Sequence, residues 1–280
     1  MDRRAEIRAL LRLSPEEVIE KAGDRLVVCE DLDALHQRFA EDVAREIADS
    51  NAEGRPTRLI VPVGPTGQYP ILADILQREG LSLERCWFFF MDEYCDDAGN
   101  AVGMDHPLSF RRQAQRVFLD RLDDACGLNP KHVVFPNEGN IDTLARTINE
   151  VGGIDVCYGG IGIHGHIAFN EPEPGVSATG PRRVALNDFT VTINAVRAHV
   201  GGNIECFPHH AYTLGMRQVL GARAIRLYCR NGHKFDWANT VLRLALFGTP
   251  GDDYPVTHIR DRNYTITTDR DTLASPENLV

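Results

Sequence analysis

Three stretches of the chain carry side chains that could transfer protons or hold an anion. In GPTGQYP, residues 64–70, Gly64 and Gly67 flank a threonine hydroxyl, Thr66, between an apolar run and a helical pattern starting near Tyr69 or Pro70. The glycines let the backbone turn tightly, and the helix start would aim amide N–H groups and partial positive charge at a bound phosphate. An ordinary strand-to-helix turn would use the same residues. The second stretch is MDEY, residues 91–94, directly after RCWFFF. At least one of Asp92 and Glu93 should stand at the edge of a buried sheet, where desolvation raises a carboxyl pKa toward the range useful for proton transfer. A helix cap or a solvated turn is the plainer alternative. The third and richest is GGIGIHGHIAFNEPEPG, residues 159–175, with His164, His166 and Glu171 among its glycines.

Two familiar patterns in these stretches lead nowhere. Gly160, Gly162 and Gly165 spell G-x-G-x-x-G after an apolar run, with Asp188 downstream. A dinucleotide site needs a helix opening at the third glycine, and Pro172 and Pro174 follow instead. His164 and His166 are spaced like a pair of metal ligands, but nothing at fixed ligand spacing completes the set, so no metal is expected. The 64–70 turn lacks the G-K-[ST] ending of a P-loop, which removes nucleoside triphosphate chemistry. What remains is an imidazole with a nearby carboxylate, a pairing suited to general acid–base work.

Apolar runs rich in β-branched or aromatic residues, at 25–29, 58–63, 85–90, 132–135, 154–160, 224–229 and 263–268, must position these loops. Helical patterns lie between many of them. Leu35, Phe39, Val43 and Ile47 recur on one helical face, and similar faces occur in 69–78, 108–122, 141–151 and 234–246. A helical segment also runs to about residue 22. The alternation predicts an α/β fold with one doubly wound, mostly parallel sheet, Rossmann-like and a single domain. In such folds ligands lie beyond the carboxyl ends of the strands, where the three loops fall.

With 280 residues, 43% hydrophobic and 25% charged, the chain has material for a sizeable core and no apolar run long enough to span a bilayer. Its charged N-terminus lacks the pattern of a secretory signal, so a cytoplasmic location is expected. A formal net charge of −10 argues against a general nucleic-acid surface. Seven scattered cysteines, never spaced C-x-x-C, suggest neither a disulfide framework nor a thiolate zinc site.

The segments VPVGPTGQYPILADIL, FFFMDEY followed by HPLSFRRQAQRVFLDRL, and CYGGIGIHGHIAFNEPEPG, in this order, resemble the glucosamine-6-phosphate deaminase/isomerase family. GHIAFNEP is the most specific. Similarity runs from about residue 25 to 272, leaving residues 1–24 as an N-terminal extension to a 25–280 catalytic domain. The related 6-phosphogluconolactonases share the fold and the glycine-histidine loop, but do not usually continue it as IAFNEP. The resemblance implies that Asp92 moves a proton between C1 and C2 of the opened sugar, that His166 opens the ring and that Glu171 orients His166. It places the 6-phosphate on the turn of Gly64, Thr66 and Gly67, with Arg197 and Lys234 as cations. The partner implied is a small phosphosugar, with neither metal nor redox cofactor, no nucleic acid and no membrane; a homo-oligomer is compatible with this.

One departure stands out. Where the family loop usually reads N-D-G-H, this chain has Ile163 and His164, exchanging a catalytic carboxylate two residues before His166 for an imidazole. A neighbouring carboxylate would favour imidazolium, and a second imidazole would not. The exchange is compatible with the same reaction at altered pH dependence, with isomerisation without ammonia release, or with a non-catalytic phosphosugar sensor. Lactone hydrolysis is the other alternative.

Overall fold

Each of the seven apolar runs forms a strand of one parallel sheet in the computed structural model, which describes residues 2–280. In chain order the strands are β1 (Leu26–Cys29), β2 (Thr57–Val61), β3 (Cys86–Phe90), β4 (Asp92–Cys95), β5 (Val133–Val134), β6 (Val156–Gly160), β7 (Arg182–Ala185), β8 (His210–Thr213), β9 (Ala224–Cys229) and β10 (Tyr264–Asp269). The helices are α1 (Arg3–Leu11), α2 (Pro15–Ala22), α3 (Leu32–Ala52), α4 (Gln68–Arg78), α5 (Phe110–Val117), α6 (Leu144–Glu150), α7 (Asp188–Arg197), α8 (Met216–Leu220), α9 (Ala238–Phe247) and α10 (Arg270–Leu273). The large sheet has the order β1-β10-β9-β6-β2-β3-β5, every pairing parallel.

Side chains alternate across this sheet, and both faces are buried, as a parallel sheet requires. Ile60, Phe89, Cys157, Ile225, Leu227 and Ile266 pack on one face with α9 residues such as Val241 and Leu242. Leu59, Val61, Phe88, Phe90, Tyr158 and Tyr228 face the other way, against Leu35, Phe39, Val43 and Ile47 of α3 and Tyr69 and Leu72 of α4. Phe39 sits against Tyr158 and Tyr228, whose hydroxyls donate to the Asp42 backbone carbonyl and Oδ2. Five of the seven cysteines are buried in the fold, and all seven are free thiols.

A second, antiparallel sheet of order β4-β8-β7 departs from the sequence reading, which treated Asp92–Cys95 as loop and had no strand at 182–185 or 210–213. Asp92 therefore begins a strand paired with Thr213, separated from the end of β3 by Met91 alone. Between this sheet and the unforeseen helix α7 lies a small core of Tyr94, Phe169, Leu186, Val191, Ala195, Phe207 and Ala211.

The N-terminal helical segment is two helices, divided where Ser14 and Glu17 form a capping box. Residues 1–24, expected as an extension, reach the core: Val18 is fully buried with α9. Arg243 of α9, 0% exposed, secures this seam by donating to the backbone carbonyls of Asn239, Leu13 and Leu273. Replacing Arg243 with methionine would strand the Leu13 and Leu273 carbonyls in a dry interior. We expect Arg243→Met to destabilise the fold by about 2–4 kcal/mol in urea unfolding; a change within ~0.5 kcal/mol would show that the seam does not depend on this guanidinium.

Candidate active site

The chain runs outward from β2 through β3 to β5, then returns to the other flank of β2 as β6 and runs outward again through β9 and β10. A crevice opens beyond the carboxyl ends of the strands at such a reversal, and ligands of doubly wound sheets bind there. Loops 62–67, 91–92 and 161–175 leave β2, β3 and β6 at this point, and 230–237 leaves the neighbouring β9. With strands about 4.8 Å apart, the four loops start within roughly 15 Å of one another.

Gly67 is the N-cap of α4 and contributes no capping side chain; Tyr69 N donates to Thr66 O and Pro70 has no N–H, so Gln68 supplies the uncapped amide of the first turn. The His36 ring of α3 lies directly on it: a Cβ at position 67 would stand 2.4 Å from the His36 Nδ1 and Cε1. Glycine at 67 thus admits the His36 ring, while its backbone, at φ −60° and ψ −28°, is ordinary helical geometry. His36 Nε2 is enclosed without a protein partner. Burial, and then the charge of Arg230, holds this imidazole below its ordinary pKa.

The two adjacent carboxyls beyond β3 have different fates. Glu93, 2% exposed, accepts hydrogen bonds from Ser109 Oγ at 3.0 Å, Phe110 N at 2.9 Å, Arg111 N at 2.8 Å and Tyr94 N at 3.0 Å. It caps α5, and its donors oppose the rise in pKa that burial imposes. Asp92, 8% exposed, accepts no hydrogen bond from any of the described residues. Burial, and next the charge of Glu93, pushes it from 3.8 to about 8. Its charge also adds to the burial that raises the phenol of Tyr69 in the first turn of α4, which places the acid beside the 64–67 turn.

In the third loop, Gly165 N donates to Gly162 O and Gly162 N to His166 O, a tight turn with no helix following Gly165. The His166 ring packs on Gly162, where a Cβ would lie 1.9 Å from Nε2. Of the glycines that imitate a dinucleotide fingerprint, Gly162 seats this imidazole and Gly165, at φ +66°, turns the backbone. Burial, then the charges of His164 and Arg197, depress the His166 pKa to about 3, so the ring is neutral at ordinary pH. His164 lies 6.4 Å from it between ring centroids, edge-on to the exposed Phe189 at 5.3 Å, and is lowered by burial. No hydrogen bond joins Glu171 to His166. Glu171 Oε2 accepts from Asn187 N at the start of α7, 2.8 Å away, while Glu171 Oε1 and His166 Nδ1 are both enclosed without protein partners. Asn170, which the sequence reading passed over, is fully buried and pins the loop. Its Nδ2 donates to Ile167 O and Leu214 O, and its Oδ1 accepts from Arg182.

Of the two cations expected, Arg197 is at the site and Lys234 is turned elsewhere. The Arg197 guanidinium stacks on Trp237 at 4.2 Å, and Trp237 Nε1 donates to Ile161 O at the mouth of the third loop. The Lys234 side chain is 77% exposed, with Nζ 3.7 Å from Glu277 Oε1 and 4.9 Å from the Phe235 ring centroid. Arg230, immediately after β9, is a cation that sequence spacing did not single out. Phe207–Tyr212, a histidine-rich cluster, belongs to the antiparallel sheet and its core. Among the described residues, no group of three or more His, Cys, Asp or Glu side chains is arranged to hold a metal, and no helix is long and apolar enough to cross a membrane.

Against known proteins, the chain is 32% identical over 218 residues to a glucosamine-6-phosphate deaminase of Caenorhabditis elegans, covering 75% of this chain and 77% of that protein. The chain belongs to the glucosamine-6-phosphate deaminase family. Other members of the family that it resembles include a deaminase of Phocaeicola vulgatus, 32% identical over 221 residues and 75% of this chain, with 78% of that protein covered. The human glucosamine-6-phosphate deaminase 2 is 30% identical over 220 residues, 75% of each chain. No family model matches the chain. Among solved structures, a monomeric glucosamine-6-phosphate deaminase superposes with a TM-score of 0.76 at 24% identity, covering 89% of this chain and 98% of that one. A Thermotoga maritima 6-phosphogluconolactonase gives 0.62 at 17% identity, with coverages of 87% and 97%, so the two groups share the fold.

The Asp92 carboxyl has a measurable signature. Unfolded, it ionises near 3.8; folded, it keeps its proton until about 8, so the folded state holds the extra proton between those values. Asp92 therefore makes stability fall as pH rises through that window. We expect Asp92→Asn to melt higher than the parent at neutral pH, with the difference shrinking toward pH 4 in thermal scans. An equal or lower melting temperature at neutral pH would mean that the carboxyl is not held dry.

Proposed function

We propose that the protein is a phosphosugar isomerase/deaminase acting on glucosamine 6-phosphate or a related hexose 6-phosphate. The observation that carries the reading is Asp92, a buried carboxyl with no protein donor, poised near 8 beside an anion-binding turn, in a chain of this family. Thr66, the backbone of Gly64 and Gly67 and the α4 N-terminus receive the 6-phosphate, with Arg197 across the crevice. Remote binding of this kind fixes the reacting carbons. Neutral His166 moves the proton that opens the pyranose ring. Ionised Asp92 takes the C2 proton and returns it to C1, turning a 2-amino aldehyde into a 2-imino compound. Water then replaces the nitrogen, giving fructose 6-phosphate and ammonia. Glu171 and His164 bound the same pocket, Glu171 holding the α7 end in place.

The substrate is a small phosphosugar, and a net charge of −10 speaks against nucleic acid as partner. Seven free thiols suit the reducing cytoplasm.

Incubation with glucosamine 6-phosphate, following ketose and ammonia, tests the proposal; no turnover on it or on other hexose 6-phosphates would end it. Asp92→Asn should lower kcat by at least about 10²–10⁴ with KM little changed, since the phosphate contacts are intact. Because Asp92 must be ionised to act as base, kcat/KM should climb with pH and level off above about 8. A profile falling over that range would assign Asp92 the opposite role.

A further inference from the structure

Beyond the β9 strand end, Arg230 opens a loop that lies against Arg197, and neither guanidinium has an ion-pair partner among the described residues. Arg197 has no carboxylate oxygen within salt-bridge distance among the described residues, and the positive charge of Arg230 opposes its own. The nearest acid, Asp236, is committed to backbone amides: its Oδ2 accepts from Gly232 N and His233 N, and its Oδ1 from Ala238 N. Among the described residues, Arg230 donates only to the carbonyl of its neighbour Asn231, at 3.1 Å. The loop that follows Arg230 is pressed onto Arg197, since a Cβ on Gly232 would lie 3.0 Å from Arg197 Nη2. On the far side, Arg230 acts on His36, whose ring rests on Gly67 with Nε2 enclosed and unpartnered. Like charges held together this way cost stability unless something negative joins them.

We propose that Arg197 and Arg230 form a two-guanidinium seat for the phosphoryl dianion, closed by His36 over Gly67, and that Arg230 rather than Lys234 supplies the second cation. The inference rests on the phosphosugar reading of the same crevice and adds to it which residues grip the phosphate. Each guanidinium offers a planar fork of donors that matches phosphate oxygens, which an ammonium does not. The His36 Nε2 would meet a phosphate oxygen as donor or acceptor according to the phosphate's protonation.

The test is binding of inorganic phosphate and, separately, of fructose 6-phosphate to the full chain by calorimetry. Both should bind the parent. Arg230→Gln should weaken both by at least about tenfold, and more than Lys234→Gln does. The unliganded Arg230→Gln protein should melt no lower than the parent, because a repulsion has been removed. A parent that binds neither ligand, a larger loss from Lys234→Gln, or an Arg230→Gln protein that melts lower with affinity intact would each overturn the proposal. If binding depends on Arg230 but glucosamine 6-phosphate is not turned over, the proposed reaction fails and the seat stands. If turnover is present and Arg230→Gln leaves KM within about twofold, the seat fails and the reaction stands.

Discussion

Parallel strands can be joined only by crossing back over the sheet, and in this chain the direction of crossing reverses once, between β2 and β6. Everything chemical follows from that reversal. It parts the helices on either side of the crevice and brings the ends of β2, β3, β6 and β9 to it. The glycines at 67 and 162 then admit the His36 and His166 rings at distances a Cβ would forbid. A carboxyl that begins the small antiparallel sheet is thereby set beside the turn that opens α4.

The same geometry fixes the charge state of the crevice. Of two adjacent buried acids, Glu93 is consumed by the α5 N-terminus and Asp92 is left without donors, so only Asp92 is free to exchange a proton near neutrality. His166 is neutral, His164 contributes no negative charge, and Arg197 and Arg230 add positive potential. With His164 where the family usually has a carboxylate, the crevice carries one negative charge fewer beside His166.

The parallel sheet was legible because strands buried on both faces read as continuous apolar runs, and Leu35, Phe39, Val43 and Ile47 marked α3 by their period. The antiparallel sheet was not, since β4, β7 and β8 are each four residues long and mix polar with apolar side chains. α7 was missed for a related reason: Phe189 and Val196 are exposed, so its pattern does not mark a buried face. Asp92, His166 and the 64–67 turn were found as residue types placed after strands. What separates Asp92 from Glu93 is packing against α5, which no spacing encodes. The expected contact from Glu171 to His166 is absent: Glu171 Oε2 accepts from Asn187 N, while Glu171 Oε1 and His166 Nδ1 each stay without a protein partner. Arg230 and His36, far apart in sequence and near each other only through the topology, carried no local signal. Lys234 sat at the right spacing, but the loop after β9 directs it to Glu277.

The first strand of the sheet has a single neighbour, and that neighbour is the last: β1 pairs with β10, while Arg243 and the Leu273 carbonyl close over the seam at Leu13. During synthesis on the ribosome, the opening helices and β1 emerge more than two hundred residues before the partners that cover them. Their apolar faces, Val18 among them, have no cover until α9 and β10 have been made. Closure of this seam is therefore timed by α9 and β10 rather than by the loops that line the crevice.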